Sequence, residues 1–256
     1  MIKTAKEMQR ALQTDKFSGL IAYYGESMLD GSPIALVVNR ITTPSTNPKT
    51  GIMVQTFIIR TDVDPLSATK TGADFAICGD CKHKKTENNS CYVSVWQAPQ
   101  TVYKALQKNR YAMPDRDFDP VLIPDLLKNK IVRAGSYGDP AAVPLHIWQS
   151  MISKAQAVNG YSHQWRKTAF DGFKSFCMAS VDSESEQNQA QAQGWRTFRV
   201  KTANEPILKR ESPCNASKEQ GQKTACDLCK ACGGLSSKAK VNIVINAHGP
   251  TRNNFK

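Results

Sequence analysis

Eight cysteines are the residues of this sequence with the clearest capacity for chemistry. Seven of them fall into two groups: the first set is Cys78, Cys81 and Cys91, and the second set is Cys214, Cys226, Cys229 and Cys232. A Cys-x2-Cys pair on a tight turn directs two sulfurs at one ion, while backbone N–H groups stabilise the thiolates. Both sets therefore predict metal binding.

The second set supplies four sulfurs, which satisfy one tetrahedral zinc ion or one [4Fe-4S] cluster. The Cys226-x2-Cys229-x2-Cys232 spacing is frequent with iron–sulfur clusters, whereas zinc sites more often use two separated pairs. The choice between the two metals stays open. A disulfide framework is disfavoured, because the first residues lack a signal-peptide core and reducing compartments keep thiols free.

The first set has one ligand too few for a closed tetrahedral site. Cys177 or His83 completes it if the site is structural, and a position stays open if the site is reactive. Cys177 lies in an apolar, strand-like run, and His83 lies two residues after Cys81 among lysines. We expect Cys177 as the fourth ligand, with His83 as the competing ligand.

Positive charge is concentrated around the same two sets. The net charge is +12, and residues 76–110 hold 6 basic against 2 acidic groups, while residues 201–256 hold 10 against 4. Basic groups near thiols favour the thiolate form. They also form a surface suited to nucleic acid, DNA in particular, on which Tyr92, Trp96 and Tyr103 would stack against bases. A surface that merely keeps the protein in solution is the simpler alternative.

The order of predicted elements indicates the fold. A helix over 4–17 precedes strands over 19–25, 33–39 and 51–59, and a helix over 98–110 follows. Strands over 129–139, 176–183, 195–201 and 240–249 then alternate with helices over 144–160 and 183–194. The alternation predicts one α/β domain over 1–256, an incomplete TIM-barrel-like parallel sheet with metal-binding insertions at 76–95 and 212–236. No apolar run is long enough for a membrane span, so we expect a cytoplasmic protein without membrane contact.

Polar residues follow the predicted strands, where parallel α/β sheets place their functional groups. The candidate catalytic residues are Asp139, His163 and Asp182. The candidate cofactor-binding residues are Arg133, Ser136, Gly138, Asp139 and Ser180, and His248 follows the last strand. Asp139-Pro140 and Ser183-x2-Glu186 also have the pattern of helix starts, so capping is an alternative role for these side chains.

Several strings resemble a family of largely uncharacterised bacteriophage proteins, from about residue 30 to the C-terminus. These strings are ICGDCKHKK, RAGSYGDPAAVP, GYSHQW, MASVDS, PCNASK and ACDLCKACGG. The resemblance implies a phage-encoded protein in the host cell cytoplasm. It implies no particular activity.

The chain is also similar, more weakly, to radical S-adenosylmethionine enzymes. Those enzymes have a partial barrel with three cysteines after an early strand, which the first set matches in number. The resemblance implies that Gly138-Asp139-Pro140 lies near the amino group of S-adenosylmethionine, and that the second set is an auxiliary cluster. The family's spacing is Cys-x3-Cys-x2-Cys, whereas x2 and x9 separate the cysteines here.

Three functions follow as hypotheses. The first is a phage accessory metalloprotein that binds or acts on nucleic acid through basic cysteine-rich loops. The second is a radical S-adenosylmethionine-like iron–sulfur enzyme. The third is a protein-binding module that inhibits or redirects a host machine. The sequence contains no phosphate-binding glycine loop, zincin motif or nucleophile elbow, which disfavours hydrolases of those kinds.

Overall fold

A computed structural model describes residues 1–255 and contains one sheet of ten strands. The strands are β1 (Gly19–Glu26), β2 (Pro33–Asn39), β3 (Val54–Arg60), β4 (Tyr111–Ala112), β5 (Ile131–Tyr137), β6 (Ala157–Ser162), β7 (Met178–Val181), β8 (Thr197–Lys201), β9 (Glu211–Pro213) and β10 (Asn242–Asn246). Their order across the sheet is β4-β1-β2-β3-β5-β6-β7-β8-β10-β9. The two outer strands do not pair with each other, so the sheet is open.

Within residues 1–255, eight α-helices accompany the sheet. They are α1 (Ala5–Gln13), α2 (Pro65–Thr71), α3 (Phe75–Cys78), α4 (Ala98–Gln107), α5 (Ile123–Leu126), α6 (Leu145–Ile152), α7 (Glu184–Ala192) and α8 (Cys226–Cys229). The start of α1 is fixed by a capping box, in which Thr4 and Glu7 each accept a backbone N–H of the other. Over residues 1–255, no helix combines the length and apolar character that a membrane crossing requires.

The prediction of an α/β fold is confirmed, and the sheet is mostly parallel. Strands β3, β5, β6, β7, β8 and β10 are parallel neighbours in chain order. The expectation of a wholly parallel sheet is wrong for β2, which runs antiparallel to β1 and β3. The connections over 27–32 and 40–53 contain no helix, and a parallel pairing needs a long crossover, usually helical.

The predicted helix over 144–160 is wrong in its second half. Helix α6 ends at Ile152, and Ala157–Ser162 forms β6 between β5 and β7. An apolar run does not by itself distinguish a buried helix from a buried strand. Gly160 permits the close packing here, because a Cβ at this position would lie 2.8 Å from the sulfur of Cys177.

At β5 and β6, one face of the sheet is apolar and belongs to the main core. Val132 and Val158 are neighbours on this face, and both belong to the main hydrophobic core. Trp148 of α6 is completely buried in the same core. This packing leaves the other face of the sheet available for the residues described below.

A buried ion pair joins the last strands of the sheet. The Arg199 guanidinium on β8 donates to both carboxylate oxygens of Glu211 on β9, at 2.8 and 2.9 Å, and it also contacts Glu205 at 3.0 Å. The side chains of Arg199 and Glu211 are 2% and 0% exposed. Because β10 lies between these strands, the pair fixes the part of the sheet that the second cysteine set covers.

Replacement of Arg199 by Met should lower the free energy of unfolding by about 3–5 kcal/mol, because Glu211 would be left buried without its cation. Urea unfolding followed by circular dichroism measures this loss. Lys154→Met is the matched control, since it breaks the half-exposed Lys154–Asp125 pair and should cost at most about 1 kcal/mol. Equal losses in the two variants would contradict the structural role of the Arg199 pair.

Candidate functional site

A row of polar side chains crosses β3, β5 and β6 on the face opposite Val132 and Val158. Gln55 on β3 pairs with Arg133 on β5, which pairs with Asn159 on β6. Side chains at directly paired positions lie on the same face, and Tyr161 shares that face because residues i and i+2 do. We call Gln55, Arg133, Asn159 and Tyr161 the polar row. Of these four, the sequence analysis found only Arg133.

The second cysteine set lies over this polar row. Asn159 Nδ2 donates to the backbone carbonyl of Cys226 at 3.4 Å. Burial raises the pKa of Cys232, and the neighbouring Tyr161 hydroxyl acts in the opposite direction. Cys232 and Cys214 also pack in a small apolar cluster with Met178. The four thiols are therefore neighbours on one face of the sheet.

Neighbouring thiols of this set influence one another's pKa. Burial raises the pKa of Cys232 to about 12, and the charges of Cys214, Cys226 and Cys229 add to that rise. Burial also raises the pKa of Cys226, whereas the cations Arg133 and Lys49 act in the opposite direction. Without a bound cation the set is therefore expected to hold protons, because several thiolates close together repel one another.

Asp227 holds the loop before β3 against the second set. Its carboxylate accepts the backbone N–H of Ile52 at 3.0 Å, and the N–H of Cys226 donates to the carbonyl of Lys49 at 2.8 Å. Gly51 lies so close that a Cβ there would be 2.3 Å from the carboxyl group of Asp227. The loop over 47–52 therefore brings Lys49 to the cysteines.

A second group of residues lies at the carboxyl ends of β5, β6 and β7. We call His83, Asp139, His163 and Asp182 the edge cluster. Its centre is His83, whose Nε2 lies 3.2 Å from Asp182 Oδ1 and whose Nδ1 lies 2.7 Å from Ser90 Oγ. His163 packs edge-on against His83, with ring centroids 5.5 Å apart. The candidate catalytic residues His163 and Asp182 thus meet, and they do so through a histidine that the sequence analysis treated only as a metal ligand.

Asp139 completes the edge cluster from the end of β5. Its two carboxylate oxygens accept backbone N–H groups from Ala141 at 3.0 Å and from His163 at 2.6 Å. Burial raises the pKa of Asp139 to about 6, while these hydrogen bonds limit the rise. Asp139 therefore caps the following 3-10 turn, as the capping alternative predicts, and also holds the loop of His163.

The pKa values of His163 and Asp182 are both lowered, for different reasons. Burial and the charges of His83 and Arg166 lower the pKa of His163 to about 4, so its ring is neutral near pH 7. Burial alone would raise the pKa of Asp182, but its hydrogen bond with His83 lowers it, so this carboxylate is ionised. A neutral imidazole beside a His–carboxylate pair is an arrangement suited to proton transfer.

Ser183 has the role of a helix cap. Its hydroxyl accepts the N–H of Glu186 at 3.2 Å at the start of α7, and Glu186 in turn accepts the N–H of Asp182 at 2.9 Å. Glu186 also pairs with Arg166 at 2.7 Å and with Lys82. These contacts fix the position of Asp182 in the edge cluster.

The first cysteine set borders the edge cluster. Burial raises the pKa of Cys81, and the charges of Cys91, Asp139 and Asp182 act in the same direction. The backbone N–H of His83 opposes this rise in the pKa of Cys81. The Gln164 amide donates to the Asp80 carboxylate at 3.2 Å and accepts the backbone N–H of Asp80 at 3.0 Å, which ties the loop between Cys78 and Cys81 to the residue after His163.

Cys177 lies apart from the first set, on the apolar face of the sheet. It is 0% exposed, belongs to the main core and faces Gly160. Burial raises the pKa of its thiol, and the one charged neighbour that adds to the shift is Asp139. This position favours His83, which adjoins Cys81, over Cys177 as the fourth group of the first set.

Three further candidate residues, Ser136, Gly138 and Ser180, lie near the polar row or near the edge cluster. Ser136 donates to Gln55 Oε1 at 2.7 Å and so joins the polar row. Gly138 has φ +85°, and a Cβ there would lie 2.8 Å from Ile58. Ser180 is buried, and its carbonyl accepts the indole N–H of Trp165 at 3.0 Å. Gly138 and Ser180 thus have evident structural roles.

The predicted metal-binding loops do not contain a formed ligand set. Within residues 1–255, no three His, Cys, Asp or Glu side chains are grouped closely enough to hold a metal ion. All eight cysteines are free thiols, in agreement with the expected absence of disulfides. Metal binding therefore stays a prediction, and it requires the sulfurs of each set to draw closer together.

Two cavities lie away from both groups of residues. One of about 150 Å³ lies between β1 and the end of α4, and one of about 210 Å³ lies between α7 and residues 208–210. Neither is lined by a cysteine, a histidine or a member of the polar row. The edge cluster and the polar row are therefore the stronger candidates, because their side chains offer chemistry.

Comparison with known proteins adds no assignment. No protein-family model, curated protein or solved structure matches this chain. The resemblances to bacteriophage proteins and to radical S-adenosylmethionine enzymes stay predictions from sequence motifs. The site is therefore interpreted from its own geometry.

The raised pKa of Asp139 predicts a pH dependence of stability. Between about pH 4 and 6 the folded state keeps a proton that the unfolded state has released. Its stabilising effect, about 3 kcal/mol, is complete below pH 4 and is lost as the pH rises through 6. Urea unfolding at several pH values should show this loss in the wild type, whereas Asp139→Asn, which does not titrate, should lack that component. Parallel profiles for the two proteins would contradict the assignment.

Proposed function

We propose that this chain is a phage-type metalloprotein that binds or acts on nucleic acid, with zinc or an iron–sulfur cluster held by each cysteine set. The observation that carries the metal part is the local geometry of the cysteine turns. Burial raises the pKa of Cys81, Cys91 and Cys214, and the backbone N–H groups two residues further along act in the opposite direction. Such N–H donors stabilise thiolates, which are the metal-binding form of cysteine.

The charge balance around the second set supports the same proposal. Buried thiols release their protons when a cation binds, so metal affinity and thiolate formation are coupled. Arg133 and Lys49 favour the thiolate form of Cys226. A metal held by four thiolates carries net negative charge, and these two cations would offset it. The second set is therefore the stronger candidate for a structural metal.

Exposed aromatic groups support the nucleic-acid part. Tyr92 and Trp96 follow the first set and are 43% and 66% exposed, which leaves ring surface for stacking. Tyr103 packs against the main core and is the weakest of the three predicted stacking residues. The basic segments over 76–110 and 201–256 would add contacts to phosphate.

Replacement of Cys226 or Cys229 by Ser should release one metal centre and lower stability, because metal binding contributes folding free energy. Elemental analysis of zinc, iron and sulfide after anaerobic purification, with an absorption spectrum, measures the metal content. Cys177→Ala is the matched control and should retain all metal, since Cys177 lies on the apolar face. Unchanged metal content in the Cys226 and Cys229 variants would refute the proposal for the second set.

A radical S-adenosylmethionine-like enzyme is the second candidate, and the edge cluster is the observation that favours it. Asp139, His163 and Asp182 meet beside the first cysteine set at the carboxyl ends of parallel strands. Strands β5, β6, β7 and β8 are also neighbours in the order in which they occur along the chain, as in an incomplete barrel. An iron–sulfur cluster on the first set would supply electron transfer, while His163 and Asp182 would bind substrate and hold protons.

Binding of S-adenosylmethionine separates the two candidates. An enzyme of this type should bind S-adenosylmethionine in isothermal titration calorimetry after anaerobic reconstitution, and Cys81→Ser should abolish binding because a ligand of the cluster is lost. The matched control is Cys229→Ser, which alters only the second set. A colourless zinc protein that does not bind S-adenosylmethionine would exclude the enzyme candidate and leave both sites structural.

A further inference from the structure

Two cations near the second cysteine set are held by neutral partners. Lys49 Nζ lies 3.4 Å from His248 Nε2, and Arg133 Nη2 donates to the Tyr92 hydroxyl at 3.0 Å. The rings of Tyr92 and His248 are stacked, with centroids 5.3 Å apart and an interplanar angle of 29°. The four side chains come from four distant chain segments and form one continuous cluster.

The hydrogen bonds of His248 indicate that its ring is neutral. Its Nδ1 lies 3.1 Å from the carbonyl of Asn246, so Nδ1 carries the proton and donates. Nε2 is then free to accept from Lys49. Burial and the charges of Lys49 and Arg133 lower the pKa of His248, in agreement with this assignment. His248 therefore orients the lysine without adding charge.

No carboxylate neutralises the two cations. Among residues 1–255, no Asp or Glu lies within ion-pair distance of Lys49 or Arg133, whereas the buried Arg199 has two such partners. Glu219 is the carboxylate that acts on His248, but it accepts the backbone N–H of Asn246 at 3.0 Å. Apart from the thiolates of a metal-loaded second set, this half-buried pair of cations has no counter-charge among the described residues, which favours the binding of an anion.

We propose that Lys49 and Arg133 bind a phosphate group of a nucleotide or of a single-stranded nucleic acid. The planar guanidinium of Arg133 and the ammonium of Lys49 suit phosphate oxygens, and Lys49 keeps two N–H donors beyond the one directed at His248. Tyr92, in contact with Arg133, is exposed enough to stack on the attached base. His248 and Tyr92 are positioning residues that orient the two cations.

This inference rests on the nucleic-acid part of the proposed function and is independent of which metal binds. The test uses the full-length, metal-loaded protein and a fluorescein-labelled oligothymidylate in anisotropy titrations at several salt concentrations. Lys49→Gln and Arg133→Gln should each weaken binding about tenfold, because a charge-assisted contact is lost. Each should also reduce the slope of log affinity against log salt by about 0.7.

Lys128→Gln is the matched control, because Lys128 is exposed and follows α5 near the start of β5, at the amino end of that strand. It should leave affinity and salt slope unchanged. Lys49 lies in a loop, so Lys49→Gln keeps the test decisive if Arg133→Gln does not fold. Competition with AMP identifies the source of the phosphate: equal affinity indicates a free nucleotide, and much tighter binding of the oligothymidylate indicates a strand.

The remaining outcomes separate this inference from the proposed function. Wild-type protein that binds neither AMP nor the oligothymidylate would refute the nucleic-acid proposal itself. Wild-type binding that both variants retain would overturn the phosphate site alone. Variants that lose metal and keep nucleotide affinity would show that the cations serve only the thiolates, which also overturns it. Equal competition by poly-glutamate would assign the site to acidic protein and overturn the phosphate assignment.

Discussion

The parallel register of β3, β5 and β6 is the constraint on which both candidate sites depend. It places Gln55, Arg133 and Asn159 side by side on one face of the sheet. Polar side chains on a covered sheet face must find hydrogen-bond partners. Ser136, Tyr92 and the carbonyl of Cys226 supply partners for Gln55, Arg133 and Asn159 Nδ2, whereas Asn159 Oδ1 is buried without one. The polar row therefore contacts both cysteine-rich segments.

The same register places the ends of β5, β6 and β7 at one edge of the sheet. Asp139, His163 and Asp182 follow these ends, and the loop after α3 brings His83 between them. This loop continues to Tyr92, which contacts Arg133 on the polar row. One loop therefore joins the edge cluster to the polar row, and a change in the first cysteine set would reach both.

Burial favours the neutral form of the thiols here, whereas the nearby cations keep their charge. It favours protonated thiols in both cysteine sets, because neighbouring thiolates repel one another. The partners of Lys49 and Arg133 are the neutral side chains of His248 and Tyr92, whereas the buried Arg199 pairs with carboxylates. The region around the second set is consequently positive, which favours both thiolate–metal binding and the approach of phosphate.

The α/β class and most strands could be predicted from the amino-acid pattern, because strong apolar runs bounded by turns have few alternatives. It identified the cysteine sets and the polar residues at strand ends, since these follow from spacing. Three features became evident only from the folded chain: Ala157–Ser162 forms β6, β2 is antiparallel and Cys177 faces the core. Asn159, Tyr161 and Lys49 were missed for the same reason: their partners lie far away in sequence, so pairing across strands, and not local pattern, gives them their roles.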